Sequence, residues 1–183
     1  MQPHEPPAGG GSPVIGAERP EDVPIIRALH EAAFGTPLEA ALVDALRASD
    51  HWIEGASLVA RDDAGRIVGH VLLSVGWLIA EDGSARPIWM LGPLGVDPTH
   101  QGQGVGSALM HAAIALATEH RQPVVCLLGH DTYYPRFGFE PARALGILPP
   151  NPDWADAHWM ALRLPAWTPD IRGVARYAPP FPT

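Results

Sequence analysis

The sequence predicts a mixed α/β domain, and three observations carry that prediction. Apolar residues recur at helical spacing near the N-terminus and again after Gly104. Two long runs of strand character follow one another across a short acidic turn, and a non-alternating apolar run follows Pro123. At 183 residues the chain has the usual size of one domain and can bury its own core.

Residues 1–12 are rich in Pro and Gly and nearly free of apolar side chains, which predicts a loose tail. A short strand is expected over 13–17. Glu18-Arg19-Pro20-Glu21-Asp22 then opens a helix, with Pro and acids in the first turn. Ile25, Ile26, Leu29, Ala32 and Ala33 form its apolar stripe, and Gly35-Thr36-Pro37 breaks it. Leu38, Leu42, Val43 and Leu46 make a second stripe ending near Ser49.

Strands are expected over 57–61 and 67–79, joined by Asp62-Asp63-Ala64-Gly65, a short acidic turn with Gly where a positive φ is favoured. A further strand, 87–96, contains Pro93, which cannot donate a ladder hydrogen bond and so predicts a bulge or a splayed position. Val105, Ala108, Leu109, Ala112, Leu116 and Ala117 trace a long helix ending near His120. The run Val124 to Leu128 lacks alternation, as in a strand buried on both faces. A short helix over 132–137 and a last strand over 159–164 complete the domain, taken as residues 13–165. The segment 166–183 is Pro-rich but carries Trp167, Ile171, Val174 and Tyr177, so it is expected to pack on the domain as a C-terminal extension.

The composition narrows function. Hydrophobic residues make up 46% and charged residues 17%, as in a globular protein. A net charge of -8 argues against a general electrostatic grip on nucleic acid or anionic lipid. All 12 basic residues are arginine, which excludes a Schiff-base lysine and a phosphate-loop lysine, and arginine-only, alanine-rich usage is the coding habit of a GC-rich bacterial genome. The single cysteine, Cys126, sits in an apolar run and reads as a small buried hydrophobe. The N-terminus lacks the charged head and apolar stretch of a secretory signal, and no apolar run approaches the roughly 18 residues of a membrane span. A cytoplasmic location, with no nucleic-acid or membrane partner, is expected.

The segment Gln101-Gly102-Gln103-Gly104-Val105-Gly106 lies between the strand ending near Val96 and the long helix. Its glycines let backbone approach a ligand, and the first amides of the helix point outward with the positive end of the helix dipole, which together suit a pyrophosphate. The dinucleotide fingerprint fails, because the sixth position counted from Gly102 is Ser107 and no acid follows at the required distance; a nucleotide-dependent oxidoreductase is therefore disfavoured.

The turn is similar to Gln/Arg-x-x-Gly-x-Gly/Ala, the coenzyme A signature of the GNAT N-acetyltransferases. Leu94-Gly95-Val96-Asp97-Pro98 resembles that family's strand beside pantetheine. Tyr133-Tyr134-Pro135-Arg136-Phe137-Gly138-Phe139 resembles its late Tyr-x-x-x-Gly-Phe element, in the form seen in a poorly characterised bacterial branch. The likeness runs over about residues 14–164. It implies the GNAT fold: a mostly antiparallel central sheet with a splayed parallel strand pair, flanked by helices. It also implies acetyl-coenzyme A (acetyl-CoA) as donor, with a longer acyl donor left open. Leu94, Gly95, Val96, Gln101, Gly102, Gln103, Gly104, Val105, Gly106 and Ser107 are the implied cofactor-binding residues, acting mainly through backbone.

The resemblance further implies an amide near Val96 facing the thioester oxygen, and Tyr134 as the acid that protonates the leaving thiolate. Tyr133 is chemically identical and adjacent, and either ring could instead serve as core. The base is open among His130, Asp131, His70 and water, since Ile88-Trp89-Met90-Leu91-Gly92 offers no carboxylate. Arg136 is a phosphate contact or a solvated side chain, and Trp52, Trp77 and Trp89 are pocket-lining or core. No second ligand stands near His100 at zinc-like spacing, so no metal is expected. Direct acetyl transfer to an amine in a ternary complex is the leading expectation. The acidic surface favours a small cationic acceptor over a protein, and a homodimer is expected from the family. The alternative is a non-catalytic acyl-coenzyme A binding or sensing module.

Overall fold

The computed structural model describes residues 11–179 and 181. The tail expected over residues 1–12 lies, through residue 10, outside the described residues. β1 (Val14–Ala17) leads through a 3-10 turn (Pro20–Asp22) into α1 (Val23–Phe34), which Gly35 ends in the left-handed region at φ 70°. Next come α2 (Leu38–Arg47) and three antiparallel strands, β2 (Trp52–Arg61), β3 (Ile67–Ile79) and β4 (Ala85–Val96). α3 (Val105–Glu119) returns the chain to β5 (Val124–Leu128), which runs parallel to β4. β6 (Glu140–Pro141), β7 (Ile147–Leu148), β8 (Trp159–Arg163) and β9 (Gly173–Arg176) follow. The sheet runs β1-β2-β3-β4-β5-β8-β6, with β9 paired to β3 and β7.

β3 and β5 match the expected spans residue for residue. β2 starts earlier than expected, at Trp52, because its first turns cross a register break between Trp52 and Ser57 that hides the strand pattern. The expected helix over 132–137 is a short 3-10 turn, Tyr134–Phe137, with Pro135 inside it and Gly138 after it in the left-handed region. Residues after Pro165 join the sheet through β9, which extends the edge of β3 where β2 has ended.

The sheet is covered on both faces. Leu58, Ala60, Val71 and Leu73 pack toward Leu109, Met110 and Ala113 of α3. Val59 and Leu72, one residue out of phase, pack toward Ile26, Leu29, Val43 and Leu46 of α1 and α2. Alternate side chains of a strand point to opposite faces, so two covered faces leave β3 apolar almost throughout.

A row of polar residues crosses this core. His30 on α1 pairs through Nε2 with Nδ1 of His70 on β3 at 2.7 Å. His70 Nε2 lies 2.7 Å from Ser57 Oγ, and Ser57 donates to Glu18. Arg47 closes the chain with two bonds to Glu18, at 2.7 and 3.0 Å. Burial alone would raise the Glu18 carboxyl, but His70 at 3.7 Å and the hydrogen bonds from Arg47 and Ser57 outweigh it and hold it at about 2. Burial lowers both histidines, His30 to about 3. Neutral His30, His70 and Ser57, each donating toward ionised Glu18, satisfy every atom in this row except His30 Nδ1.

Candidate active site

The site begins where β4 and β5 part. The two strands pair only at Trp89–Val125 and Met90–Cys126. Immediately beyond, β4 carries an extra residue: Leu91 faces Leu73 and Leu94 faces Val71, so Gly92 and Pro93 together stand opposite Leu72. This is the bulge expected from Pro93, whose ring nitrogen has no hydrogen to donate. From there to Val96, β4 pairs with β3 on one side and leaves its other edge unpaired. Gly95 is needed on this stretch because a Cβ would stand 2.9 Å from His30 Nδ1.

The turn after β4 is held by its own side chains. Asp97 caps the following 3-10 turn by accepting from the Thr99 amide at 2.8 Å, Gln101 reaches back to the Val96 carbonyl at 3.2 Å, and Gln103 reaches the Thr99 carbonyl at 2.9 Å. Both glutamines thus brace the loop. Gly102 and Gly104 sit at φ 74° and 87°, where a side chain would be strained. Gly106 is required for another reason: a Cβ there would stand 2.7 Å from the Tyr133 hydroxyl. Val105 is buried in the core, so only its backbone is available to a ligand. The amides that open α3 have no intrahelical partner and carry the positive end of its dipole.

Two cavities flank this framework. A groove of about 620 Å³ is bordered by Leu94, Val96, the glycine turn, Ser107, Tyr133 and Arg136. A pocket of about 380 Å³ lies on the other side of the splay, between β4, the end of β5 and the helices α1 and α2. Leu94, His130 and Tyr134 border both.

The two adjacent tyrosines have different surroundings. Tyr133 reaches toward Ser107 at the start of α3, and Arg136 stacks on its ring at 4.8 Å. Tyr134 lies where the cavities meet, its ring so close to Gly129 that a Cβ there would be 2.1 Å from Cε2. Burial, with Tyr133 adding to it, pushes the Tyr134 phenol up to about 12, so it is protonated at neutral pH.

Of the side chains expected as bases, only His130 borders the cavities. Asp131 is exposed and borders neither, and His70 is fully buried in the polar row behind β4. None of the three tryptophans weighed as pocket residues lines the pocket. Trp52 stacks under Arg47, Trp77 packs on His51, and Trp89 is core. The aromatic wall is Phe34, Trp154, Tyr177 and Phe181 instead. Cys126 is buried, and burial alone raises its thiol. Among the described residues no three His, Cys, Asp or Glu side chains gather as a metal site would need, and no helix is long and apolar enough to cross a membrane.

A parted strand pair beside a turn of free amides is the framework of an acyl-transfer fold, and comparison with known proteins agrees. The model of the Acetyltransferase (GNAT) family matches residues 24–139. YjhQ of Escherichia coli K12, described as an uncharacterized N-acetyltransferase, is 37% identical over 169 residues, 88% of this chain and 90% of YjhQ. Among solved structures, the GNAT N-acetyltransferase YhbS of Escherichia coli in complex with CoA superposes with a TM-score of 0.81 at 29% identity, covering 97% of this chain and 94% of YhbS. A GNAT acetyltransferase from Brucella melitensis in complex with acetyl-CoA gives 0.74 at 31% identity, covering 93% and 98%. The chain belongs to the GNAT acetyltransferase family.

Proposed function

We propose that the protein transfers an acetyl group from acetyl-CoA to a small-molecule amine by direct attack in a ternary complex. The observation that carries this reading is the meeting of the groove and the pocket at Leu94, His130 and Tyr134, in the gap between β4 and β5. The groove suits coenzyme A: amides opening α3 for the pyrophosphate, the free edge of Leu94 to Val96 for the amide-bearing arm, and Arg136 as a cation beside the phosphates. The complexes of YhbS with CoA and of the Brucella protein with acetyl-CoA support the same ligand.

Acetyl-CoA supplies an activated acetyl as its thioester. His130 takes the proton that the ammonium must lose before its nitrogen can attack. The new C–N bond forms as the C–S bond breaks, while an amide near Val96 faces the oxygen on which negative charge grows. Tyr134 gives its proton to the departing thiolate, and the second proton that the acylated nitrogen must lose passes to solvent, from which the phenol is reprotonated.

Calorimetry should detect acetyl-CoA binding and none by NAD or ATP. Free thiol should then appear only when an amine is added. Binding of acetyl-CoA without thiol release for any amine would instead favour a non-catalytic acyl-coenzyme A module.

A further inference from the structure

The pocket on the far side of the splay has a definite chemical character. Phe34 and Leu42 of the helices, Leu91 and Pro93 of the β4 bulge, and Trp154 and Tyr177 from the C-terminal third form apolar walls. Among the described residues Glu39 is the one carboxylate bordering it, and no arginine, serine, threonine, asparagine or glutamine does so. Thr36 donates to Glu39 Oε2 at 2.8 Å and fixes the carboxylate at the start of α2. Glu39 borders the pocket but not the groove, so its charge draws the ammonium into the pocket, whereas His130 and Tyr134 stand at the shared end, where the amine reacts.

These walls select by what they omit. A sugar or peptide acceptor brings hydroxyls and amides that would be buried without partners here, which is a strong basis for rejection. A cationic, apolar molecule is complementary on every side: Glu39 attracts its charge, aromatic rings accept a cation over their faces, and the rest is apolar burial. The volume of about 380 Å³ admits roughly a dozen water-sized groups at about 30 Å³ each, enough for one ring and a short chain. Given acetyl transfer at this site, we infer that the acceptor is a primary amine on a compact apolar or aromatic body, with Glu39 as the residue that reads its positive charge.

The test is calorimetry with coenzyme A present, using 2-phenylethylamine, glucosamine and 2-phenylethanol as probes. Phenylethylamine should bind at least tenfold more tightly than glucosamine. Glu39→Gln keeps the size and the bond to Thr36, so it should weaken phenylethylamine about tenfold while leaving 2-phenylethanol unchanged. Equal or tighter binding of glucosamine, no binding of phenylethylamine, or an unaltered phenylethylamine affinity in Glu39→Gln would overturn the assignment. The same amine is then supplied with acetyl-CoA. If the binding order holds and no thiol is released, the amine site stands and the transferase reading falls.

Discussion

The groove and the pocket meet at one tyrosine but are made of different material. The groove is chiefly backbone: a free strand edge, a turn held open by Gly102 and Gly104, and the first amides of α3, all within Leu94 to Ser107. The pocket is side chains drawn from α1, α2, the β4 bulge, the end of β5 and the C-terminal third. Backbone recognition needs particular glycines in a fixed order and serves one invariant ligand. Side-chain recognition can change one wall at a time, so the acceptor can vary while the donor stays the same.

The largest effect should come from blocking the backbone side. Gly106→Val puts a branched side chain where even a Cβ stands 2.7 Å from the Tyr133 hydroxyl, at the start of α3. Acetyl-CoA affinity should fall by about a hundredfold or more, with 2-phenylethylamine binding retained. Calorimetry with each ligand separately measures this; equal loss of both would mean that the two cavities are one mechanical unit.

The next effect belongs to the shared boundary. Tyr134→Phe should lower kcat by about a hundredfold and leave acetyl-CoA binding unchanged. Gly129→Ala reaches the same place without touching the hydroxyl, because its Cβ would drive the Tyr134 ring aside. It should therefore reproduce most of the loss in kcat. Single-turnover kinetics of both variants checks this, and wild-type turnover in either would remove Tyr134 from the chemistry.

The same contrast explains what could be read in the sequence. The turn Gln101 to Gly106, Pro93 and the Tyr-Tyr-Pro-Arg-Phe-Gly-Phe run are contiguous, and each residue's requirement is local, so both the fold and the groove were legible. In the sequence Gly106 reads only as a ligand approach, yet the residue pressing on it is Tyr133, distant in sequence. The pocket was not legible, because a wall residue and a core residue look alike in one dimension. Leu42 lies in the apolar stripe of α2 beside Val43 and Leu46, but those two are core and Leu42 borders the pocket. Trp52, Trp77 and Trp89 are large aromatics that the sequence cannot sort between core and pocket, whereas the wall tryptophan is Trp154, in a segment without regular periodicity. His70 looked available on a strand, and only the tertiary partners His30, Ser57 and Glu18 make it a buried structural residue.

That buried row backs the groove, since His30 presses on Gly95 of the strand edge. Both histidines sit below the ordinary value of 6.5, so their stabilising contribution is complete above it and is lost as pH falls toward about 3, where folded His30 takes up its proton. Glu18 acts in the same direction lower down, from 4.5 toward about 2. Thermal melts should therefore show a Tm lower by several degrees at pH 5 than at pH 7, with a further fall below 4.5. Ser57→Ala, which removes one of the hydrogen bonds holding Glu18 low, should lower Tm at pH 7 and shrink the further fall below 4.5, leaving the fall between pH 7 and 5 in place. A Tm independent of pH between 7 and 5 would mean that the row is exchanging with solvent.

The smallest effect should be at Arg136, the one arginine among the described residues bordering a groove made chiefly of backbone. Its guanidinium is exposed and stacked on Tyr133, with one weak bond to the Thr132 carbonyl at 3.4 Å. An exposed cation facing phosphate is screened by water and salt, and such contacts contribute about 0.2–1 kcal/mol. Arg136→Ala should therefore weaken acetyl-CoA by no more than about fivefold, and the difference should shrink as salt is raised. Titration at low and high ionic strength measures it. A loss approaching that of Gly106→Val would show that a side chain, and not the backbone, carries donor recognition, and would erase the contrast between the two cavities.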